Sequence, residues 1–552
     1  MRISFFLYGL GNPGYDKQGV LYQTDFPSEN TVYVVRYDFV LGEDITIPEN
    51  CVFEFDGGSV SGEHTLTGTN TGVKAGLVKI FDVNITFAGT WNAKKAFVEW
   101  FGAKGDGIAD DTIPIQKTID FAINGNIVNV LLGSKRTYKI TSTLNTTKAV
   151  CLDGQESEIF LPNSADATCL IRVGSHSDGL YTHVKNLKIR GYVGGYDSYI
   201  VEDGLTQNGV PLCREGVIGM DIACFGVNVE NIWVVNCHYG ISSFNNDNTW
   251  CPSLNGVYIR SCYYALYFKR ERPMNAGERL NISNSIIGNN VIAIHSDLWG
   301  VNVSMCSIDY NMYCTKNSNT GLASFAYMSF VNCYFERGNI VGNSWFLNTG
   351  GLSLTECTLV EMNSTPYFFE TCSYVKLTSC SFSANNSIVA DNSTRLYMEN
   401  CDNILGQGLL LPNTISNLIK NGDFSTDDVS AFSAGGTGTC EVAVDEQGNR
   451  YLKITPELYH GNEYYVSFYP RKDFYLFYKT VNNGSPIYTH VIQYDRDGNG
   501  VGSGFYTPTQ PGYIDYFKIV LMPNVEKVTI LRQFSGGDST VCHDFGIYAF
   551  EF

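Results

Sequence analysis

Two acidic residues are the strongest candidates for chemistry, because a repeated sequence pattern places them at equivalent positions. Asp309 and Glu336 each lie three residues after a cysteine that is preceded by an alternating apolar segment. If these segments stack as strands, the two carboxylates face outward about 4.8 Å apart at the backbone. Their repulsion raises one pKa and leaves the other group ionised, as the acid and nucleophile of glycoside hydrolysis require. Glu361, one position further along in the next copy, completes the predicted catalytic group.

Nearby side chains could bind a sugar chain beside these acids. Trp299, Tyr310 and Trp345 are candidate stacking platforms for sugar rings, and Arg337 is a candidate polar contact. The alternatives are plain: the acids can be solvated surface groups, Arg337 can pair with Glu336, and each aromatic ring can fill a loop core or a subunit interface.

The repeat determines whether such a site can form. Eight marker residues follow one another at steps of 21 to 27 residues: Cys237, Cys262, Ser285, Cys306, Cys333, Cys357, Cys380 and Cys401. The residues five and three before each marker are apolar, and the residue just before it is often Asn or Ser, which tolerate a bent backbone. We therefore predict a parallel β-helix in which each coil is a strand, a corner and a second strand, with the marker inward.

Composition excludes several classes of protein. The net charge of −18 argues against a basic nucleic-acid-binding surface, so no nucleic-acid partner is expected. No window approaches the roughly 20 apolar residues of a membrane span. Met1–Leu10 does not have the form of a secretory signal. The 17 cysteines are expected to be mostly reduced, and no Cys/His spacing suggests a metal, so neither cofactor nor metal is predicted.

Three regions are expected along the chain. Residues 1–98 are a β-rich cap or attachment region, residues 99–411 are the β-helix, and residues 412–552 are a jelly-roll β-sandwich that binds carbohydrate or trimerises. A short helix after residue 111 should cover the open end of the β-helix. Asp495–Gly500 is expected to form a hairpin turn, because Tyr506 replaces the glutamate of a calcium loop.

One segment resembles a known superfamily. The sequence Trp-Phe-Gly-Ala-Lys-Gly-Asp-Gly-Ile-Ala-Asp-Asp-Thr at 100–112, with the helix after it, resembles the start of pectate-lyase-like right-handed β-helix proteins, in particular phage tailspikes and tail fibres. The segment at 47–59 resembles one found in proteins of gut Bacteroidetes and their phages, and the chain after Asn417 resembles the start of carbohydrate-binding modules. Asp106, Asp110 and Asp111 are then turn and cap residues.

The resemblance implies a homotrimer in the virion tail that binds, and possibly depolymerises, bacterial capsular or surface polysaccharide. Its N-terminal region would contact other tail proteins, and the protein would act outside the cell after assembly in the host cytoplasm. Two alternatives stay open: a structural or receptor-binding virion fibre without catalysis, and a polysaccharide lyase of the bacterial cell surface. Motifs of polygalacturonases and the acidic calcium ladder of pectate lyases are missing, so pectin is not the expected substrate.

Overall fold

The computed structural model describes most of the chain, and all structural statements below concern that part. It omits residues 1–3, 8–18, 126, 149, 175–181, 193–212, 244–248, 269–278, 297–299, 318–326, 338–344, 362–366, 384–387, 391–395, 400, 404–417, 422–423, 425, 436–437, 445–449, 456–461, 472–473, 481–484, 507–513, 536–541 and 552.

The first hundred residues form parallel strands that already stack as coils. One sheet contains β1 (Ser4–Leu7), β3 (Val32–Val35), β5 (Ile45–Thr46), β6 (Val52–Phe55), β8 (Thr65–Lys74) and β9 (Thr86–Asn92). A second contains β2 (Gly19–Leu21), β4 (Phe39–Leu41) and β7 (Val60–Ser61), and a short 3-10 helix spans Gln23–Asp25. Asn50 donates to Asn30 at 3.4 Å, and Asn70 donates to Asn50 at 2.7 Å, so amide side chains join successive corners. This regular stacking was not expected from the sequence, which indicated only a β-rich cap or attachment region.

The segment at 96–125 makes the transition to the main coils. It contains β10 (Ala96–Phe97), a 3-10 helix at Val98–Phe101, β11 (Asp106–Asp110) and the helix α1 (Thr112–Gly125). Asp111 accepts the backbone N–H groups of Lys104 and Gly105 at 2.7 and 3.0 Å, and Asp110 accepts that of Thr112 at 3.1 Å. These acids therefore hold a turn and the start of a helix, as the resemblance implied.

The main coils have three walls rather than the two strands predicted. The first wall contains β12 (Asn129–Leu131), the first halves of β15 (Cys151–Phe160), β17 (His183–Arg190) and β19 (Asn228–Val235), then β21 (Ser253–Asn255), β24 (Leu280–Ser283), β27 (Val301–Ser304), β30 (Tyr327–Val331), β33 (Gly351–Thr355) and β36 (Tyr374–Thr378). The middle wall contains β13 (Thr137–Lys139), the second halves of β15, β17 and β19, then β22 (Tyr258–Arg260), β25 (Ile286–Gly288), β28 (Ser307–Asp309), β31 (Tyr334–Arg337), β34 (Thr358–Glu361) and β37 (Ser381–Ser383).

The third wall is a separate parallel sheet. It contains β14 (Leu144–Thr146), β16 (Cys169–Val173), β18 (Arg214–Ile222), β20 (Cys237–Ser242), β23 (Tyr264–Phe268), β26 (Ile292–Ser296), β29 (Tyr313–Lys316), β32 (Phe346–Leu347) and β35 (Tyr367–Glu370). Three short strands follow along the chain: β38 (Ile388–Ala390), β39 (Leu396–Glu399) and β40 (Asp402–Asn403). The predicted fold class, a parallel β-helix, is confirmed.

Left-handed backbone conformations mark both corners of each coil. At the first corner, between the first and middle walls, five successive residues have φ from 51 to 53°: Asn284, Met305, Asn332, Glu356 and Ser379. At the second corner, before the third wall, the corresponding residues have φ from 54 to 56°: Asn236, Ser261, Asn289 and Tyr310. Asn and Ser were predicted to form corners, and Met305 and Glu356 adopt the same conformation despite their less suitable side chains.

The marker residues belong to two columns, which corrects the predicted alignment. Strand β22 pairs with β25, so Ile259 lies opposite Ile287. Cys237 and Cys262 therefore follow the second corner, whereas the markers from Ser285 onward follow the first. The pattern could not separate them, because both corners combine an apolar strand, a left-handed residue and a small buried side chain. Every cysteine within the described ranges whose state is given is a free thiol.

The C-terminal region forms two five-stranded antiparallel sheets. The first has the order β41 (Phe432–Ala434), β44 (Asn462–Phe468), β49 (Lys527–Ser535), β46 (Ser485–Tyr494) and β47 (Gly500–Tyr506). The second has the order β42 (Thr439–Val444), β43 (Arg450–Thr455), β50 (Cys542–Glu551), β45 (Phe474–Thr480) and β48 (Ile514–Ile519). One apolar core contains residues of both sheets, as in a sandwich. Asp495 accepts the backbone N–H of Asn499 at 2.9 Å in the turn between β46 and β47, so this segment is a hairpin.

The chain divides into two compact units. One comprises Met1–Ser383 with Ala390–Thr394, and the other comprises Ala384–Val389 with Arg395–Phe552. The domain boundaries at 98/99 and 411/412 remain predictions. Among the described residues, no helix is long and apolar enough to cross a membrane.

Replacing Met305 with Asn should stabilise the β-helix. Met305 adopts the left-handed conformation with 63% of its surface exposed, so Asn relieves backbone strain without leaving a cavity. We expect the free energy of unfolding to rise by about 0.5–1 kcal/mol, measured by denaturant titration. The reverse change at the next corner, Asn332→Met, should lower it by a similar amount. Unchanged stability in both variants would contradict this account of the corner.

Candidate functional site

Asp309 and Glu336 lie side by side on the outer face of the middle wall. Strands β28 and β31 pair in parallel with Asp309 opposite Glu336. The preceding residues, Ile308 and Phe335, are 1% and 0% exposed and point into the coil, which directs both acids outward. The predicted register of the two acids is therefore observed.

Two tyrosine hydroxyl groups hold the carboxylate of Glu336. Tyr310 Oη donates to Glu336 Oε1 at 2.9 Å, and Tyr334 Oη donates to Glu336 Oε2 at 3.0 Å. Burial, its own hydrogen bond to Glu336 and the charge of Glu336 raise the pKa of Tyr334 to about 12, so its hydroxyl remains a donor at neutral pH. With both oxygens accepting hydrogen bonds, Glu336 is fixed in orientation as an acceptor.

Asp309 has a different environment from its neighbour. Burial is the main cause that raises its pKa from 3.8 to about 6; the hydrogen bond from Ser307 opposes this shift, and the charge of Glu336 adds to it. Ser307 Oγ donates to Oδ2, while Oδ1 is buried and has no hydrogen-bond partner in the described part of the chain. The two adjacent carboxyl groups thus differ in environment: tyrosine hydroxyl groups hold Glu336, whereas burial favours the protonated form of Asp309.

Buried amides support the second corner behind this pair. Asn290 Nδ2 donates to Asn311 Oδ1 at 3.0 Å, and Asn311 Nδ2 donates to the carbonyl oxygen of Ile287 at 2.7 Å. Tyr310 precedes Asn311, has φ of 54°, and donates its backbone N–H to the carbonyl oxygen of Glu336 at 2.7 Å. The strained conformation of Tyr310 therefore orients its hydroxyl and joins the two coils that carry the acids.

Sequence reasoning missed an exposed aromatic row on the same wall. Trp233 lies opposite Tyr258, and Tyr258 lies opposite Ile286, on successive coils that lead to Ser307 and Tyr334. The Trp233 ring is 4.9 Å from that of Tyr258, and Trp233 is 52% exposed. The signal was available in the sequence, since large aromatic residues occupy an outward, mostly polar position of the repeat.

The other predicted site residues have different outcomes. Trp345, just before the third-wall strand β32, is 1% exposed, so the prediction that it offers a surface stacking platform is wrong. Trp299 lies outside the described residues. Arg337 and Glu361 are opposite each other on β31 and β34, and their roles remain predictions because their side chains are not described.

A second aromatic group lies on the third wall. Tyr239 stacks on Tyr264 at 5.3 Å between ring centroids, and His238 stacks on Tyr263 at 5.0 Å. These rings cover one another's faces, which favours a structural role. In the part of the chain that the structure describes, no group of three or more His, Cys, Asp or Glu residues could hold a metal ion.

Asp309→Asn should stabilise the protein at pH 8 but not at pH 3. Because the folded state raises the pKa from 3.8 to about 6, ionisation of Asp309 costs stability above pH 6, and this cost is absent below the unfolded pKa. We expect a gain of about 1–3 kcal/mol in the free energy of unfolding at pH 8, measured by denaturant titration at both pH values. A gain that is equal at both would contradict the assigned protonation.

Comparison with known proteins adds structural neighbours at low identity. The chain is similar to the enzymatically active domain of tailspike protein 4 of bacteriophage CBA120, with 14% identity and a TM-score of 0.48 over 83% of this chain and 68% of that one. It is also similar to the gp42 tailspike of Acinetobacter phage vb_AbaP_AS12, with 11% identity and a TM-score of 0.38 over 75% and 82%. For PfbA, a surface adhesin of Streptococcus pneumoniae, the identity is 12% and the TM-score 0.34 over 66% and 100%. No protein-family profile and no curated protein matches the chain. The fold assignment rests on the strand pairing described above.

Proposed function

We propose that this protein binds a bacterial surface polysaccharide along the outer face of its middle wall and hydrolyses a glycosidic bond there. The observation that carries the proposal is the in-register pair of Asp309 and Glu336, which two tyrosine hydroxyl groups support. The exposed ring of Trp233 extends the same face and offers an apolar surface to a sugar ring.

The two acids have separate tasks in the proposed reaction. Asp309, the group that retains a proton near pH 6, donates it to the glycosidic oxygen as the bond to the anomeric carbon breaks. Glu336 attacks that carbon and forms a glycosyl ester, and water then releases the sugar while Asp309 takes the proton of that water. Adjacent coils place the two residues about 4.8 Å apart at the backbone, which suits hydrolysis with retained configuration.

Glu336→Gln should abolish cleavage while leaving polysaccharide binding intact. We expect at least a 10³-fold loss in released reducing ends, because the amide cannot form the ester. The matched control is Glu356→Gln, whose side chain belongs to the first corner and not to the middle wall.

For the wild type, the rate of polysaccharide cleavage should fall as the pH rises above about 6, because Asp309 loses the proton it donates.

The products distinguish the alternatives. Binding without any released oligosaccharide would favour a receptor-binding fibre that lacks catalysis. Products with unsaturated, ultraviolet-absorbing uronate ends would identify a lyase instead. Full activity of Glu336→Gln would exclude the assigned pair.

Assembly is part of the same proposal. The resemblance noted at residues 100–112 supports a homotrimer in a phage tail that contacts other tail proteins through its N-terminal region. We expect light scattering of the purified protein to give three times the chain mass of 61.2 kDa. A monomer mass would contradict the trimer, and absence of the protein from purified virions would contradict the tail location.

A further inference from the structure

The outer face of the middle wall changes in charge along its length. Reading across successive coils, Arg190 lies opposite Val235, followed by Arg260, Gly288 and Asp309. In this column of side-chain positions, two cations, Arg190 and Arg260, precede the carboxylate pair.

Arg190, the first cation of this column, is already neutralised. It reaches Glu158 Oε1 at 2.6 Å, and Lys188 of the neighbouring column reaches the same atom at 3.3 Å. Neither is therefore a free site for an anion.

Arg260 is different, because its described contacts are neutral. Its Nη1 donates to the hydroxyl oxygen of Tyr258 at 3.3 Å. Its Nε is buried and has no hydrogen-bond partner in the described part of the chain. A guanidinium carries its N–H donors in a planar fork that fits a carboxylate, and among the described residues the hydroxyl oxygen of Tyr258 accepts from Nη1.

Gly288 occupies the position between Arg260 and Asp309 in this column, so no side chain projects there. A Cβ at this position would lie 3.1 Å from the carbonyl oxygen of Asp309, tighter than ordinary packing. Two coils, about 10 Å, separate Arg260 from Asp309, so only an oligosaccharide, not a single sugar, can reach both.

We propose that Arg260, with Trp233 and Tyr258, forms a subsite for a carboxylate-bearing sugar of the polysaccharide. This inference rests on the proposed function and specifies its substrate class: an acidic glycan whose cleaved bond lies about two coils from the sugar held by Arg260. Trp233 contacts the apolar face of a sugar ring, and the guanidinium binds the carboxylate of that sugar. Arg260 determines specificity and takes no part in bond cleavage.

The test compares acidic bacterial capsular polysaccharides with the same polymers after chemical reduction of their carboxyl groups. Binding to an immobilised panel of both forms is measured for the wild type, Arg260→Met, Arg260→Lys and Trp233→Ala. Lys376→Met serves as the matched control, since it removes a cation from the first wall instead of the middle wall. Far-ultraviolet circular dichroism checks that each variant is folded.

We expect the wild type to bind an acidic polymer and to lose about 10- to 100-fold in affinity for its reduced form. Arg260→Met should bind both forms with the same weak affinity, and Arg260→Lys should fall between, because it keeps the charge but not the fork. Trp233→Ala should weaken binding to both forms, and Lys376→Met should behave as the wild type.

Two other outcomes separate this inference from the proposed function. Equal wild-type affinity for acidic and reduced polymers, with cleavage of both, would overturn the subsite while leaving the hydrolase intact. Failure to bind any polysaccharide of the panel would count against both proposals together.

Discussion

The hydrogen bonds between successive left-handed corners are the interaction on which the rest of the β-helix depends. At the first corner, the backbone N–H of Met305 donates to the carbonyl oxygen of Val331 at 3.0 Å. At the second corner, the backbone N–H of Asn289 donates to the carbonyl oxygen of Asp309 at 3.0 Å, and that of Tyr310 donates to the carbonyl oxygen of Glu336 at 2.7 Å. A shift of one residue in strand register would turn every side chain of a wall to the opposite face. These hydrogen bonds therefore determine which side chains point outward.

The same constraint assembles the candidate site from distant parts of the chain. The candidate site draws on residues spread over about a hundred positions: Trp233, Arg260, Asp309 and Glu336. Each lies in a strand of the middle wall, and the corners at the two ends of that strand fix which of its side chains face outward. The site therefore needs no long loop to hold it together. Its precision comes from backbone pairing, and local side chains such as Asn311 only refine it.

Alternation and repeat length were sufficient to predict a parallel β-helix and the pairing of Asp309 with Glu336. They were insufficient to count the walls, because Cys262 and Ser285 follow different corners with the same local pattern. The sequence alone also did not indicate which tryptophan residues are buried: Trp345 is buried, whereas Trp233, in an ordinary strand position, is exposed. Three-dimensional stacking, not residue type, separates these two tryptophans. The raised pKa of Asp309 also depends on desolvation that no spacing rule encodes.

In the proposed site, the coil that contains Gly288 separates two ends, the Arg260 subsite and the carboxylate pair. Because coils repeat by translation, duplicating or deleting one such unit would shift the two ends relative to each other by one pitch and leave each intact. For the proposed polysaccharide ligand, the gain or loss of one coil would therefore change the distance between the two sugars that the site contacts.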